Sequence, residues 1–441
     1  MAYTVSLASL GCSKNQIDAE IMLAKLALAG FEYTAEEDEA DIVIVNTCAF
    51  IEDAKTESID VILDIARLKQ EGNLKLLVVT GCMAERYREQ ILNEMPEVDV
   101  VVGIGSNADI VEIITKALED GERVCKYDDK QLLPLSGPRF IATPHYMAYI
   151  KIAEGCDNRC TYCAIPGIRG KYRSRTMSDI VGEAEMLARR GVKELILIAQ
   201  DTTRWGEDIG NERLADLLER LCKIEGIKWL RILYAYPERV DDRLISVIRD
   251  NPKIVKYIDI PLQHSEDKIL HRMNRRTTKD DIISLVHNLR EEIPEIVLRT
   301  TILTGFPGET EEDFENLLSF VKEMRFDKLG CFAYSQEEGT PAAEFDNQID
   351  EETKKRRQEQ IMQLQQEISD EMNEALIGQT REVLVEGYDV YIRMWYGRSA
   401  GEAPEVDGKI FFSSDKEIEP GEFINVKLLE TSDGELVGEA L

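Results

Sequence analysis

The sequence predicts an α/β protein of three units: an N-terminal parallel α/β domain, a central (βα)6 partial barrel and a small C-terminal antiparallel β-barrel. Three observations carry this. Short β-rich apolar runs alternate with amphipathic segments up to about residue 120 and again from about 146 to 345, the pattern of parallel sheets covered by helices. From Thr380 the apolar period drops to two, with short Gly- or Pro-bearing turns, as in a small antiparallel barrel. Finally, 441 residues are too many for one ordinary core. The expected divisions are 1–120, a linker at 121–145, a core with its closing helix at 146–376, and a barrel at 377–441.

In the first unit, Tyr3–Ser9, Asp41–Asn46, Lys75–Thr80 and Val98–Val102 read as strands. Ser13-Lys14-Asn15-Gln16 has the form of a capping box, and the amphipathic run it opens ends at Gly30. Asp53–Lys69 reads as a helix with Ile59, Ile62, Leu63 and Ala66 on one face, and Glu85–Met95 as another. Cys12, Cys48 and Cys82 each lie just past a strand. The carboxyl ends of parallel strands share one edge, where ligands bind, so these three cysteines should converge. Three thiolates can hold three irons of a [4Fe–4S] cube and leave the fourth open. Gly11 and Gly81 would let the backbone approach such a ligand closely. The competing reading is three small buried core residues, which their shared placement argues against. Cys125, in a charged segment further on, is taken as non-ligating.

Gln131–Pro144, with three prolines and Gly137, reads as an irregular connector. Beyond it come six strand candidates, Tyr146–Ile152, Glu194–Gln200, Trp229–Ala235, Lys256–Pro261, Ile296–Gly305 and Lys328–Tyr334. Helical segments separate them at Ser178–Arg190, Glu212–Lys223, Asp241–Asp250, Lys279–Glu291 and Glu311–Met324. Chemistry in such a barrel sits at the carboxyl ends of the strands. After the first strand comes Cys156-Asp157-Asn158-Arg159-Cys160-Thr161-Tyr162-Cys163, a C-x3-C-x2-C loop that again suits a [4Fe–4S] cluster with one open iron. A zinc knuckle would want a fourth Cys or His nearby, but the nearest histidines are His145 and His264. Other strand ends carry Gln200-Asp201, Gln263-His264 and Gly305-Phe306-Pro307-Gly308-Glu309. His264 is either an acid–base group or a hydrogen-bonded cleft residue. Arg169, Arg173, Arg175, Arg272, Arg275 and Arg276 either engage a ligand carboxylate or, for most of them, form surface ion pairs. Cys222 and Cys331 read as core or surface residues.

Asp350–Leu376 is a long helix pattern with Ile361, Leu364, Ile368, Met372 and Leu376 as its stripe, and Arg381–Glu386, Val390–Met394, Lys409–Phe412 and Phe423–Leu429 read as strands. The net charge is −31, whereas nucleic-acid binders usually carry a basic footprint. Residues 377–441 hold fourteen acidic against six basic side chains, a balance of −8. A basic protein partner is therefore expected and a tRNA partner is not. No run of about 18 apolar residues suggests a membrane span, and Met1–Leu7 lacks the basic and apolar regions of a signal peptide. Nine cysteines then point to metal ligation in a reducing compartment, and the expected location is cytoplasmic.

Glu154–Cys163 resembles the cluster loop of the radical S-adenosylmethionine superfamily. Gly11-Cys12-Ser13-Lys14-Asn15-Gln16, Asn46-Thr47-Cys48 and Gly81-Cys82 resemble the N-terminal domain of methylthiotransferases, and the C-terminal unit resembles a TRAM domain. Across its length, including Gly397–Gly408, the chain resembles RimO-type methylthiotransferases. That resemblance implies two [4Fe–4S] clusters, on Cys156, Cys160 and Cys163 and on Cys12, Cys48 and Cys82. The first would cleave S-adenosylmethionine reductively to a 5′-deoxyadenosyl radical. The second would carry sulfur. The radical would open a C–H bond at the β-carbon of an aspartate in ribosomal protein twelve of the small subunit, and a methylthio group would be added there. Tyr162, Gln200, Asp201, Gln263, Gly305 and Glu309 are the implied contacts to S-adenosylmethionine. A reductant such as flavodoxin or ferredoxin is implied, and the sulfur donor is left open. The competing functions are a tRNA adenosine methylthiotransferase, marked by a basic stripe on the barrel, and a non-enzymatic iron–sulfur carrier or scaffold, marked by failure to form 5′-deoxyadenosine.

Overall fold

The computed structural model describes residues 3–72 and 74–441. The first unit runs β1 (Thr4–Ser9), α1 (Ser13–Leu28), β2 (Glu32–Tyr33), β3 (Ile42–Thr47), α2 (Glu52–Glu71), β4 (Leu76–Gly81), α3 (Cys82–Tyr87), α4 (Glu89–Glu94), β5 (Val100–Val102), α5 (Ile110–Asp120) and β6 (Val124–Lys126). The strands form one parallel sheet in the order β2-β1-β3-β4-β5-β6. Its central strands β3 and β4 are buried at every position, because helices cover both faces. The last strand, β6, carries Cys125 and lies within what reads from sequence as the segment after the sheet.

Local physics departs from the sequence pattern at three places here. The capping box does not form: Cys12 is the N-cap of α1, without a side-chain bond, and Ser13 is already helical. At the other end Gly30 behaves as expected, with Gly30 N–H donating to Ala27 O and Phe31 N–H to Leu26 O, both at 3.1 Å. Helix α2 buries Ser58, Ile62, Ile65 and Ala66, leaving Ile59 and Leu63 exposed. The reason is polar: the Ser58 hydroxyl bonds both the N–H and the C=O of Cys48 at 3.0 Å, which sets the helix rotation. The expected helix Glu85–Met95 is broken at Arg88, whose φ is +48°.

The central unit runs β7 (Met147–Lys151), β8 (Ala153–Glu154), α6 (Ile165–Arg169), β9 (Arg173–Ser174), α7 (Met177–Arg189), β10 (Glu194–Ile198), α8 (Leu214–Leu221), β11 (Trp229–Ile232), α9 (Asp242–Asp250), β12 (Ile254–Asp259), α10 (Asp267–Arg272), α11 (Lys279–Glu292), β13 (Val297–Thr304), α12 (Glu311–Met324), β14 (Lys328–Ala333) and α13 (Glu351–Leu376). The six long strands form an open parallel sheet, β14-β13-β12-β11-β10-β7, and β8 and β9 a separate two-stranded ribbon. The helices close over one face in a continuous apolar core, joined by Ile361 and Ile368 of α13. On the other face Tyr149, Ile196, Ile198 and Tyr257 pack with Ile17 and Ile21 of α1. The N-terminal unit thus seals part of the open barrel's interior.

The third unit is a closed barrel of β15 (Thr380–Asp389), β16 (Met394–Arg398), β17 (Ile410–Ser413), β18 (Phe423–Ser432) and β19 (Glu435–Ala440), ordered β15-β16-β17-β19-β18. One pair, β17 with β19, is parallel; the others are antiparallel. Val390–Met394, expected as a strand, is a turn up to Arg393: the Asp389 carboxylate accepts from the N–H groups of Tyr391 and Ile392, and Arg393 has φ +56°. No helix among the described residues is long and apolar enough to cross a membrane.

This barrel is tied to the central sheet by buried ions. Glu194, at the start of β10, takes Arg231 Nε and Arg398 NH2, each at 2.8 Å, and Arg398 also meets Glu386 at 2.7 Å. Burial alone would raise the Glu194 pKa, but Arg398 and Arg231 outweigh it and hold it below the usual 4.5. A depressed folded pKa means stability present above 4.5 and lost as pH falls through the folded value. Glu194→Gln leaves buried Arg231 without a carboxylate and Arg398 with Glu386 alone, so urea melts at pH 7 should show a loss of about 3–5 kcal/mol. The variant should also show a flatter decline of stability below pH 4.5 than the wild type.

Candidate active site

The first cysteine set is built by adjacent strands. Because β1, β3 and β4 are neighbours, the turns after them bring Cys12, Cys48 and Cys82 to one rim. Gly11 has φ +84°, and a Cβ there would lie 2.8 Å from Cys48 Sγ. Gly81 has φ +91°, and a Cβ there would lie 2.5 Å from the Thr47 carbonyl oxygen. Both turns therefore require glycine. Asn15 Nδ2 donates to Leu10 O at 2.8 Å and to the carbonyls of Asn46 and Thr47 at 3.2 Å, stitching two of the turns together. Cys12 is exposed, Cys48 half-buried and Cys82 buried, so the set opens on one side.

The second set follows β8. Cys156 and Cys160 are buried and Cys163 half-buried. Asn158 Nδ2 donates to Asp201 Oδ2 at 2.8 Å, Asn274 Nδ2 donates to the carbonyls of Asn158 and Arg159, and Arg159 takes φ +53°. Tyr236 Oη lies 3.8 Å from Cys160 Sγ, and the Arg275 guanidinium stacks on the Tyr236 ring, 4.0 Å from the same sulfur.

All nine cysteines are free thiols. Burial pushes Cys82 up to about 12 and Cys156 up to about 11, and raises Cys48 and Cys163. Such thiols stay protonated until a cation displaces the proton. Among the described residues no three His, Cys, Asp or Glu stand close enough to share a single ion; thiolates on separate irons of a cube stand wider apart. Two sets of three free thiols thus stand at the carboxyl ends of the two parallel sheets.

A buried charge cluster links the sets. Helix α6 starts two residues after Cys163 and sends Ile168 into the core beside Cys82. Its Arg169 donates to Cys82 Sγ at 3.4 Å and to Asn15 Oδ1 at 3.0 Å, and pairs with Asp18 and with Glu154 at 3.3 Å. Lys151 pairs with the same Asp18 and with Glu154 at 2.7 Å. Both carboxylates and both cations are essentially inaccessible, and the four charges balance.

Family models match three stretches of the chain: "Uncharacterized protein family UPF0004" over residues 4–103, the radical SAM superfamily over 150–321 and the TRAM domain over 377–441. The ribosomal protein uS12 methylthiotransferase RimO of Clostridioides difficile is 50% identical over 438 residues, covering 99% of this chain and 98% of that protein. The protein of the same name from Pelotomaculum thermopropionicum is 50% identical over 443 residues, with 100% of each covered. The chain belongs to the RimO family of methylthiotransferases. Among solved structures, the radical S-adenosylmethionine methyltransferase TsrM from Kitasatospora setae, with cobalamin and a [4Fe–4S] cluster bound, superposes with a TM-score of 0.56. It covers 87% of this chain and 81% of that one at 16% identity, a likeness of fold alone. Membership of the radical SAM superfamily implies S-adenosylmethionine and a [4Fe–4S] cluster.

In this RimO-family chain the sequence-predicted cofactor contacts divide into two groups. Tyr162 is half-buried against Phe306, Tyr334 and Met273 beside the second set. Gln200 reaches Glu154 Oε1 at 2.6 Å, and Gln263, with φ +75°, has its N–H on Thr301 O. Of these three, Gln200 has an unpartnered Oε1. Asp201 is committed to Asn158, Thr203, Arg204 and Arg239, so it shapes the cysteine loop. Glu309 is committed to Gly305 N–H at 2.9 Å and Arg357 at 2.7 Å, with His264 Nε2 at 3.4 Å. His264 is fully buried and accepts from Glu266 N–H through Nδ1, while its Nε2 has no hydrogen-bond partner among the described residues. Arg169, Arg175 and Arg275 are buried, not surface partners as expected for most of the arginines.

Sequence reading missed Asp18, Lys151 and Glu154. Their signal was present: Lys151 and Glu154 are charges in and beside a strand that is otherwise apolar, and such charges are buried only when paired. Arg169→Leu should lower unfolding free energy by about 3–5 kcal/mol, since it leaves Asp18 and Glu154 sharing only Lys151. Urea unfolding of the apoprotein checks this without any cofactor.

Proposed function

We propose that this chain is a radical S-adenosylmethionine methylthiotransferase that adds a methylthio group to the β-carbon of an aspartate in ribosomal protein uS12. The observation supporting it best is the pairing of two open three-thiol sets across the Arg169 cluster, on a chain half identical to RimO proteins over its full length. Cys156, Cys160 and Cys163 would hold one [4Fe–4S] cluster beside Tyr162, and Cys12, Cys48 and Cys82 a second. When bound, these groups and S-adenosylmethionine supply the one-electron and sulfur-transfer chemistry needed at an unactivated C–H bond. The chain's own residues hold and shield it. Asn158, Asn274 and Asp201 fix the second loop. Asn15 and Arg169 fix the first. Arg275 places a positive charge beside Cys160. Ile17 and Ile21 exclude water from the barrel face beneath.

The acidic C-terminal barrel suits a basic ribosomal protein better than tRNA. A small electron-transfer protein such as flavodoxin or ferredoxin would serve as reductant. One competition reaction tests the substrate: reconstituted protein, S-adenosylmethionine, reductant and sulfide with small ribosomal subunits and unmodified tRNA. Mass spectrometry should find the methylthio group on uS12 alone; label on tRNA overturns the reading. Cys156→Ala should abolish 5′-deoxyadenosine formation. Cys12→Ala should retain it and make no methylthio product. Product from Cys12→Ala would refute the assigned division of labour.

A further inference from the structure

Lys14 is the second residue of α1, two positions after Cys12, and is only 7% exposed. Its ammonium lies over the ring of Tyr234, 3.1 Å from the centroid. Among the described residues it has neither a carboxylate nor any hydrogen-bond acceptor. Every other buried lysine or arginine has a carboxylate at ion-pair distance, except Arg275, which donates to Pro261 O at 2.6 Å and faces Cys160. In a chain of net charge −31, a mostly buried lysine with no carboxylate partner is a conspicuous exception. The nearby acids of its own helix are committed elsewhere: Asp18 to Lys151 and Arg169, Glu20 to Arg139 at 3.4 Å and to Ala142 N–H. A ring face replaces only part of the hydration an ammonium loses, so the site has room in its electrostatics for one anion.

The surroundings place that vacant charge between the two thiol sets. Tyr234 follows β11 with φ +62°, a conformation uncommon for a bulky residue and often found at functional sites. Its N–H donates to Asp259 Oδ2 at 3.0 Å, and its C=O accepts from Thr202 N–H at 3.0 Å, so the ring is fixed. Two residues on, Tyr236 borders Cys160. Lys14 therefore stands with Cys12 on one side and the Tyr234–Tyr236 loop, which reaches the second set, on the other. Behind it Ile17 and Ile21 pack into the barrel, so approach is from the thiol side.

We infer that Lys14 receives the side-chain carboxylate of the acceptor aspartate and is the residue that makes the enzyme select an acid. This rests on the uS12 reading above. A carboxylate held on Lys14 is attached directly to the β-carbon, so fixing the acid places the carbon to be modified between the two sets. Tyr234 would offer its ring edge to the aspartate methylene. Lys14 acts by binding and orientation and takes no part in bond breaking.

The test compares uS12 carrying its acceptor aspartate with uS12 carrying asparagine there, using wild type, Lys14→Met and Lys14→Gln with both clusters reconstituted. Dissociation constants, kcat/KM for methylthio product, iron content and affinity for S-adenosylmethionine are measured. Wild type should prefer the aspartate form by about 10- to 100-fold, the value of one charge-assisted contact. Both variants should bind the two forms equally, with iron content and S-adenosylmethionine affinity as in wild type. Retained preference in the variants overturns the inference and leaves the uS12 reading intact. Weakened S-adenosylmethionine affinity in the variants also overturns it, assigning Lys14 to the cofactor. Wild-type protein that binds the two forms equally overturns it without any variant. Wild-type protein that modifies neither form refutes the substrate reading, and the Lys14 assignment with it.

Discussion

Four charges with no access to water hold this molecule's working parts in register. Asp18 comes from a helix of the first sheet, Lys151 and Glu154 from the start of the second unit, and Arg169 from the short helix after its cysteine loop. Burying such a group adds little net stability, since desolvation cancels most of the attraction. Its effect is on which arrangements are permitted. A shift of one unit against the other by a few ångströms would leave charge unpaired in an apolar interior, a cost of several kcal/mol. The carboxyl edges of two separate parallel sheets are thereby held facing each other, with Arg169 touching Cys82 of one set from a helix that begins just after Cys163 of the other.

The same logic recurs at the opposite end of the central sheet. Glu194, Arg231 and Arg398 join the C-terminal barrel to the start of β10, while Arg299 bridges Asp259 at 2.8 Å and Tyr257 Oη donates to Asp407 at 2.7 Å. The open barrel is thus bounded by α1 over part of its inner face and by residues 398–407 at one end. An open parallel sheet exposes an apolar face that must be covered. Here the neighbouring units supply that cover.

Positional constraint also commits some strand-end residues to structural partners. Asp201 and Glu309 sit at strand ends, where ligand contacts are expected, yet each spends its carboxylate on backbone and arginine partners. Gln200 keeps an unpartnered Oε1 beside Glu154. Lys14, which reads from sequence as part of a helix cap, instead lies over the ring of Tyr234.

The order of strands and helices, the cysteine spacing and the switch to period two near Thr380 were legible in the sequence, because each depends on residues close together along the chain. So was the convergence of Cys12, Cys48 and Cys82, since parallel strands must end on one edge. Rotation and pairing were not. Helix α2 turned by about a residue because Ser58 bonds Cys48, the Val390–Ile392 run became a turn because Asp389 caps it, and Arg169 went inside because Asp18, 151 positions away, was there to receive it. A sequence states which groups carry charge and how apolar runs repeat. Which buried charge meets which is settled only when distant segments pack, since the energy of an ion depends on the partners and the water that the whole fold leaves around it.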